Sequence, residues 1–142
     1  MKTIALSVAA CAAFLLLAGC SSESSDASSG ENAESCTAFA TSHNAFVATV
    51  EAVPTDQAGV EKWTADKSAS LNEFTTQSEQ ATGEVKNALT TLVADLPADS
   101  LELSEPDSES GQQFVDNSNA VASACEADGT SITLDEFPLL KF

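Results

Sequence analysis

Large apolar residues recur in this chain at steps of three and four positions, and that spacing constrains its fold more than any other feature. One run covers Cys36–Val53, a second covers Val60–Leu96, and a shorter one covers Phe114–Cys125. Steps of three and four place side chains on one face of an α-helix, whereas a half-buried strand alternates at every second residue. The spacing therefore predicts an all-α domain.

Proline and glycine indicate where the predicted helices end. Pro54 follows the first run, because a residue that precedes proline is disfavoured in the α conformation. The second run is longer than a usual globular helix, and Gly83 is its predicted break, since glycine costs about 1 kcal/mol in a helix interior. Thr55 or Asp56 can cap the second helix, and Ser104 is the expected N-cap of the last one.

The first twenty residues have the pattern of a secretory signal. One cation, Lys2, precedes an apolar run over Ile4–Ala18, which is shorter than the roughly twenty residues of a membrane-spanning helix. The segment closes on Leu17-Ala18-Gly19-Cys20, which resembles the lipobox of bacterial lipoproteins. That resemblance implies that the Cys20 thiol receives a diacylglyceryl group, that signal peptidase II removes residues 1–19, and that the new amino group is acylated, for example with palmitate.

A polar segment separates the predicted anchor from the predicted helices. Residues 21–34 read SSESSDASSGENAE and contain no large apolar side chain, so they cannot bury enough surface to fold alone. We therefore expect a signal peptide over residues 1–19, a lipidated tether over 20–34 and one helical domain over 35–142. With this leader the chain resembles the small, acidic lipoproteins of high-GC Gram-positive bacteria, which mostly have no assigned activity. The resemblance implies a location on the extracytoplasmic face of the cell membrane, and no functional residue beyond Cys20 is carried over.

The lipoprotein resemblance leaves two cysteines for the exported domain. Cys11 lies in the signal peptide and Cys20 is the lipidation site, so Cys36 and Cys125 remain. Two cysteines outside the cytoplasmic membrane usually pair. A metal pair is the alternative, but no histidine lies near either cysteine in the sequence. We expect a disulfide.

The expected disulfide discriminates between helix arrangements. In a three-helix up-down-up bundle Cys36 and Cys125 would lie at opposite ends, about 30 Å apart by helical rise, whereas a disulfide requires Cα atoms within about 7 Å. A break at Gly83 gives an up-down-up-down bundle with both cysteines at one end. Alternatively, one long central helix remains continuous and the first and last helices pack along its successive halves. We expect the first arrangement, because short connections favour antiparallel neighbours.

The charge of the chain excludes several classes of partner. It has 22 acidic residues against five cations, a formal net charge of −17. Binding to nucleic acid requires lysine and arginine to displace counterions, and adhesion to anionic lipid requires polybasic segments. We therefore expect no nucleic-acid partner, and membrane contact through the lipid anchor alone. A large negative charge keeps a protein soluble because its copies repel one another, and this is one explanation of the composition. The functional alternative is a basic partner or a cation-rich wall component.

Few residues offer chemistry, and none forms a recognisable motif. His43 is the only histidine and lies on the apolar face of the first helix, which favours a packed, hydrogen-bonded side chain. The acidic loop Asp99–Glu109 lacks the ligand order of an EF-hand, so we expect a solvated loop. Trp63 has the spacing of a core residue. We predict no catalytic residue, no metal site and no cofactor.

The C-terminal segment holds the densest group of large apolar residues outside the signal peptide. These residues are Ile132, Leu134, Phe137, Leu139, Leu140 and Phe142. We expect the segment to fold back and complete a bundle whose helices are poor in leucine; a docking segment for a partner is the alternative.

The sequence predicts a membrane-anchored, extracytoplasmic lipoprotein that acts as a non-enzymatic binding module in the cell envelope. Its expected partner is an envelope protein or wall component. The alternative is a lipoprotein that binds a small molecule or cation in a groove between helices.

Overall fold

The computed structural model describes residues 30–139, and this part of the chain is built from helices with no strand. The four α-helices are α1 (Ala33–Glu51), α2 (Gln57–Gln80), α3 (Gly83–Ala94) and α4 (Glu109–Ala127). A short 3₁₀ helix, Glu102–Ser104, lies between α3 and α4. The predicted all-α class is confirmed.

The helices form an up-down-up-down bundle in which each packs against the next along the chain. Cys36 near the start of α1 and Cys125 near the end of α4 form a disulfide, with 5.8 Å between their Cα atoms. The turn between α2 and α3 is made at Gly83, whose φ of 55° is readily adopted by glycine alone. The predicted break at Gly83 is therefore confirmed, and the alternative with one continuous central helix is wrong.

Side-chain caps fix where α2 and α4 begin. Asp56 caps α2 by accepting the N–H of Gly59 at 2.7 Å, one of the two predicted caps. The cap of α4 is Ser108, which accepts the N–H of Gly111 at 2.8 Å, so the prediction of Ser104 as the cap is wrong. Ser104 instead belongs to the 3₁₀ helix, which inserts the buried Leu103 into the core and delays the start of α4.

Helix α1 begins at Ala33, and the residue before it, Asn32, is buried and makes several hydrogen bonds. Its backbone N–H and side-chain amide donate to the two carboxylate oxygens of Asp128 at 2.9 and 3.1 Å. Its amide oxygen accepts the backbone N–H of Thr82 at 2.7 Å. One buried side chain therefore joins the start of α1, the turn between α2 and α3, and the end of α4 at the disulfide end of the bundle.

Five phenylalanine rings dominate the core. Phe39 packs against Phe74, and Phe74 against Phe114, with ring centroids 5.5 and 6.1 Å apart. Phe46 contacts Phe114 on one side and Phe137 on the other, at 5.5 and 5.9 Å. These contacts join α1, α2, α4 and the C-terminal segment in one cluster of aromatic side chains.

Two residues at the far end of the bundle depart from the predicted buried stripes. Val53 is 69% exposed and Val60 is 42% exposed, because α1 ends at Glu51 and α2 starts only at Gln57. Val53 lies in the turn that follows α1 and Val60 lies in the first turn of α2, so both side chains are beyond the end of the core.

Lys67 occupies a core position on α2 and is fully buried, although a cation is unfavourable there. Its ammonium lies 3.7 Å from the centroid of the Trp63 ring and has no hydrogen-bond partner within residues 30–139. Burial lowers the pKa of Lys67, and the carboxylate of Asp99 opposes that shift. Trp63 itself donates its indole N–H to the backbone carbonyl of Thr49, so this half-buried ring links α1 to α2.

The C-terminal segment folds back along the bundle, as predicted. Helices α1 and α4 contact each other only sparsely, and the segment fills the seam between them. Phe137 is 5% exposed and packs on Phe46 and Phe114, while Leu134 and Leu139 are partly buried beside it. Leu140 and Phe142 lie outside the described residues.

Phe137→Ala should lower the free energy of unfolding by about 3–4 kcal/mol, since it removes a buried aromatic ring from the seam and leaves a cavity. Denaturant unfolding monitored by circular dichroism measures this change. Val60→Ala, at a half-exposed position, is the control and should change it by less than about 1 kcal/mol. An unfolding curve for Phe137→Ala that matches the wild type would show that the segment is not a structural part of the bundle.

Candidate functional site

A cavity of about 220 Å³ lies in the seam between α1 and α4, beneath the C-terminal segment. Its apolar walls come from α4 and from the segment, through Val115, Leu134, Phe137 and Leu139. Its polar lining residues are His43, Ser118, Asn119, Asp135 and Glu136. The cavity therefore combines an apolar wall with polar lining residues, a combination that is common in ligand sites.

Asn44 holds the C-terminal segment over this cavity. Its side-chain amide donates to the backbone carbonyl of Thr133 at 3.2 Å, and its amide oxygen accepts the backbone N–H of Asp135 at 2.8 Å. The segment thus pairs with one side chain of α1 in the way it would pair with a neighbouring strand. This double contact fixes the height of the segment above the helices.

The contacts of Asn44 also determine the proton position on His43. Because the nitrogen of Asn44 donates to Thr133, its Oδ1 is the atom that lies 3.2 Å from His43 Nδ1. Nδ1 therefore carries the hydrogen in the neutral imidazole, and Nε2 keeps its lone pair. The His43 ring stacks on Phe114 with an interplanar angle of 2° and centroids 5.5 Å apart, which holds the imidazole in place.

The environment of His43 favours its neutral form. Burial lowers its pKa below the ordinary value of 6.5, while the hydrogen bond to Asn44 and the nearby Asp135 carboxylate oppose that shift. The prediction of a packed, hydrogen-bonded histidine is confirmed. A neutral His43 presents Nε2 as a hydrogen-bond acceptor.

Ser118 is the second polar group from the helices. It is 2% exposed, and its hydroxyl has no hydrogen-bond partner within residues 30–139. Leaving a buried hydroxyl unpaired costs about 1–3 kcal/mol. The Ser118 hydroxyl is therefore enclosed between the helices and unsatisfied within the described part of the protein.

Serine, histidine and aspartate meet here, but they are not connected as a catalytic relay. The Ser118 hydroxyl makes no hydrogen bond to His43, and Nδ1 of His43 faces an amide oxygen rather than a carboxylate. Activation of a serine nucleophile requires a hydrogen bond from its hydroxyl to a base that is itself oriented by an acid. The contacts of Ser118 and His43 do not form such a relay.

The residues singled out in the sequence are distributed over the two ends of the bundle. Cys36 and Cys125 meet at one end, and the acidic loop Asp99–Glu109 lies at the other. Asp99 turns back to accept the backbone N–H of Leu101 at 2.9 Å. The lipidation residue predicted from the sequence, Cys20, lies outside the described residues.

Three further findings bear on the functional class. Among residues 30–139, no group of three or more histidine, cysteine, aspartate or glutamate side chains is placed to hold a metal ion. Over the same residues, no helix has the length and hydropathy needed to cross a membrane. Comparison with known proteins finds no matching family model, no similar curated protein and no similar solved structure.

The sequence alone does not place these residues around one cavity, although it contains one signal. Ser118 and His43 each interrupt an otherwise apolar helical stripe, and polar interruptions on two facing stripes indicate a shared polar pocket. Asp135 and Glu136 gave no such signal, because only the backbone contact to Asn44 brings them over the seam.

We expect the stability of the protein to fall with the pH below about 6.5, because unfolded His43 then binds a proton that the folded state resists. The pKa of His43 is lower in the folded protein than in the unfolded one. The loss of stability is therefore absent above about pH 6.5, grows as the pH falls, and stops growing once the pH is below the folded pKa. Urea unfolding between pH 5 and pH 8 measures it. His43→Phe keeps the stacked ring without the titration, and its profile should be flatter; parallel profiles would contradict the assignment.

Proposed function

We propose that this chain is a lipid-anchored protein of the extracytoplasmic membrane face and that it acts as a non-enzymatic binding module in the cell envelope. Cys20 carries the anchor, residues 1–19 are removed on export, and the helical domain stands outside the membrane. The partner is an envelope protein or wall component of basic character, since the domain is strongly acidic.

Two observations support this proposal: the disulfide and the sequence before Cys20. The Cys36–Cys125 bond joins residues 89 positions apart and closes almost the whole described domain. Such bonds persist in oxidising compartments and are rare in the cytosol. A domain closed in this way, after a segment with the features of a lipoprotein signal, supports export followed by anchoring.

The fold suggests how the anchored domain is oriented. Gly30 lies at the disulfide end, where the adjoining Asn32 is bonded to Asp128. The ten residues from Cys20 to this point span at most about 35 Å when fully extended. The disulfide end is therefore the end that the proposed tether joins, while the turn between α1 and α2 and the acidic loop lie at the opposite, distal end.

The distal end has the features of a contact surface. Within the described residues, the exposed large apolar side chains are Val53, Val60 and Leu101, and all three lie at this end. Aspartate and glutamate residues of the loop Asp99–Glu109 accompany them. Apolar contacts set among acidic side chains suit a partner that presents basic and apolar groups together.

A second candidate function is the binding of a small molecule in the cavity beneath the C-terminal segment. The lining of the cavity favours it, because ligand sites combine apolar walls with a few polar groups. This function is compatible with the anchored location.

Cys20→Ser should abolish incorporation of labelled fatty acid and leave the precursor uncleaved, because the thiol is the proposed acceptor of the lipid. Metabolic labelling, followed by mass spectrometry of the N-terminus, measures both effects. Cys11→Ser, within the predicted signal peptide, is the control and should be acylated like the wild type. Labelled fatty acid on the Cys20→Ser protein, or a mature chain that begins elsewhere than residue 20, would contradict the proposal.

A further inference from the structure

A groove of about 530 Å³ runs along α2, where this helix faces the end of α3 and the start of the acidic loop. Leu71 of α2, Val93 of α3 and Leu96 just after α3 contribute apolar lining and are partly buried against the core. All the residues that line the groove are exposed or half-buried, so a partner can reach them from solvent. We call this surface the α2–α3 groove; it shares no lining residue with the cavity beneath the C-terminal segment.

The α2–α3 groove has the length of a short peptide. Along α2 its lining extends from Thr64 to Thr75, which is about 16 Å by helical rise. An extended chain covers that distance with about five residues. Alternate side chains of an extended chain point to the same side, so two of the five can contact the apolar lining.

Asn72 is an exposed residue of the groove that can pair with a peptide backbone. An asparagine side chain both donates and accepts, and so matches the C=O and N–H groups of a chain that lies across it. Helix α1 provides an example in the same molecule, because Asn44 donates to the carbonyl of Thr133 and accepts the N–H of Asp135 in the C-terminal segment. Asn72 therefore has the chemistry to hold the backbone of a partner in the way that Asn44 holds this segment.

Acidic and apolar side chains border the distal end of the groove. Asp99 is one of its lining residues and is exposed. Glu61, on α2, and Glu102, in the acidic loop, are exposed as well, and each follows directly on an exposed apolar residue, Val60 and Leu101 respectively. This combination is complementary to a partner that presents basic and apolar side chains together.

The lysines of the described residues offset only part of this charge. Lys62 forms an ion pair with Asp66, and Lys67, whose ammonium interacts with Asp99, is fully buried. Lys86 lies on α3 two helical turns before Val93, toward the disulfide end. Because the whole chain has 22 acidic residues against five cations, a basic occupant is attracted and an acidic one is repelled.

We propose that the α2–α3 groove binds a short, extended, basic peptide segment of a partner protein in the cell envelope. The backbone of the segment pairs with Asn72, one or two apolar side chains contact Leu71 and Val93, and flanking lysine or arginine side chains lie near Asp99. This inference rests on the proposed binding function, and it names the chemistry of the partner and the surface that the partner contacts.

A panel of matched synthetic peptides tests the proposal. The basic set is acetyl-Lys-X-Thr-Z-Lys-amide, with leucine, valine or phenylalanine at X and Z. An acidic set replaces both lysines by glutamate, and a polar set replaces X and Z by serine. Each peptide is titrated, up to millimolar concentration, into isotopically labelled full-length protein in detergent with its disulfide intact, and chemical shifts are followed by nuclear magnetic resonance.

We expect at least one basic peptide to bind at least tenfold more tightly than its acidic and polar counterparts. Its binding should shift the side-chain amide of Asn72 and the backbone amides of Leu71 and Val93, which lie in the groove. The affinity should fall as salt is added, because the charges involved are exposed.

Asn72→Ala tests the backbone contact. It should weaken binding of the basic peptide about fivefold, the change expected for one lost hydrogen bond. The melting temperature should not fall, because the residue is exposed and alanine is the better helix former. Asn87→Ala, at an exposed position of α3 outside the groove, is the matched control and should leave binding unchanged.

Asp99→Asn tests the charge contact. It keeps an oxygen that can accept the N–H of Leu101 but removes the negative charge, so binding of the basic peptide should weaken and depend less on salt. Glu126→Gln removes one charge at the disulfide end of α4 and should have a smaller effect.

Four results would overturn the proposal. No basic peptide could bind, or the acidic peptides could bind as tightly as the basic ones. Binding could persist unchanged in both Asn72→Ala and Asp99→Asn, which would assign the peptide to the general acidic surface. Shifts in the groove could instead follow protein concentration without peptide, which would assign the groove to a second copy of the chain. Basic peptides bound elsewhere on the domain would contradict the groove but not the proposed binding function, and the acylation of Cys20 is tested separately.

Discussion

The seam between α1 and α4 is closed by the C-terminal segment, and the rest of the structure depends on that packing. The two helices are joined by the disulfide at one end, but their contact elsewhere is sparse. Phe137 fills the gap by packing on Phe46 from α1 and on Phe114 from α4. The burial of His43, the cavity beside it and the alignment of the two helices all follow from this arrangement of aromatic rings.

The disulfide end is held by complementary interactions. The covalent bond fixes the distance between α1 and α4, and Asn32 adds hydrogen bonds to Asp128 and Thr82. At the opposite end Trp63 donates to Thr49, and Asp95 accepts from Gln113 and Asn117, but no covalent bond joins the described helices there. The exposed apolar side chains also lie at this end. In the proposed anchored protein the covalently joined end thus adjoins the tether, and the exposed apolar side chains lie at the distal end.

Much of the fold could be predicted from the sequence, because helical spacing and helix-breaking residues act locally. The break at Gly83 and the pairing of Cys36 with Cys125 together selected the correct bundle. The errors arose where tertiary contacts override local signals. Ser104 has the sequence of an N-cap, but burial of Leu103 draws it into a 3₁₀ helix and transfers the cap to Ser108.

The buried polar residues are the part of the fold that could least be predicted from the sequence. Asn32 lies in a segment whose composition indicates a tether, and only its partners at the far end of the chain explain its burial. Lys67 occupies a core position because the Trp63 ring covers its ammonium.

In the candidate site, too, the sequence predicts the position of a single residue but not which residues meet. The place of His43 on an apolar helix face follows from its spacing in the sequence. The meeting of His43 with Ser118 and Asp135 depends on how the C-terminal segment crosses the seam, and helical periodicity carries no information about that path.

The most direct test of this account is a nuclear Overhauser spectrum of the full-length protein. The packed segment predicts cross-peaks between the ring protons of Phe137 and those of both Phe46 and Phe114. It also predicts slow solvent exchange for the amide of Asp135, which donates to Asn44. Absent cross-peaks together with a rapidly exchanging Asp135 amide would show that the segment leaves the seam open, and the closed seam, its cavity and the proposed ligand site would all be contradicted.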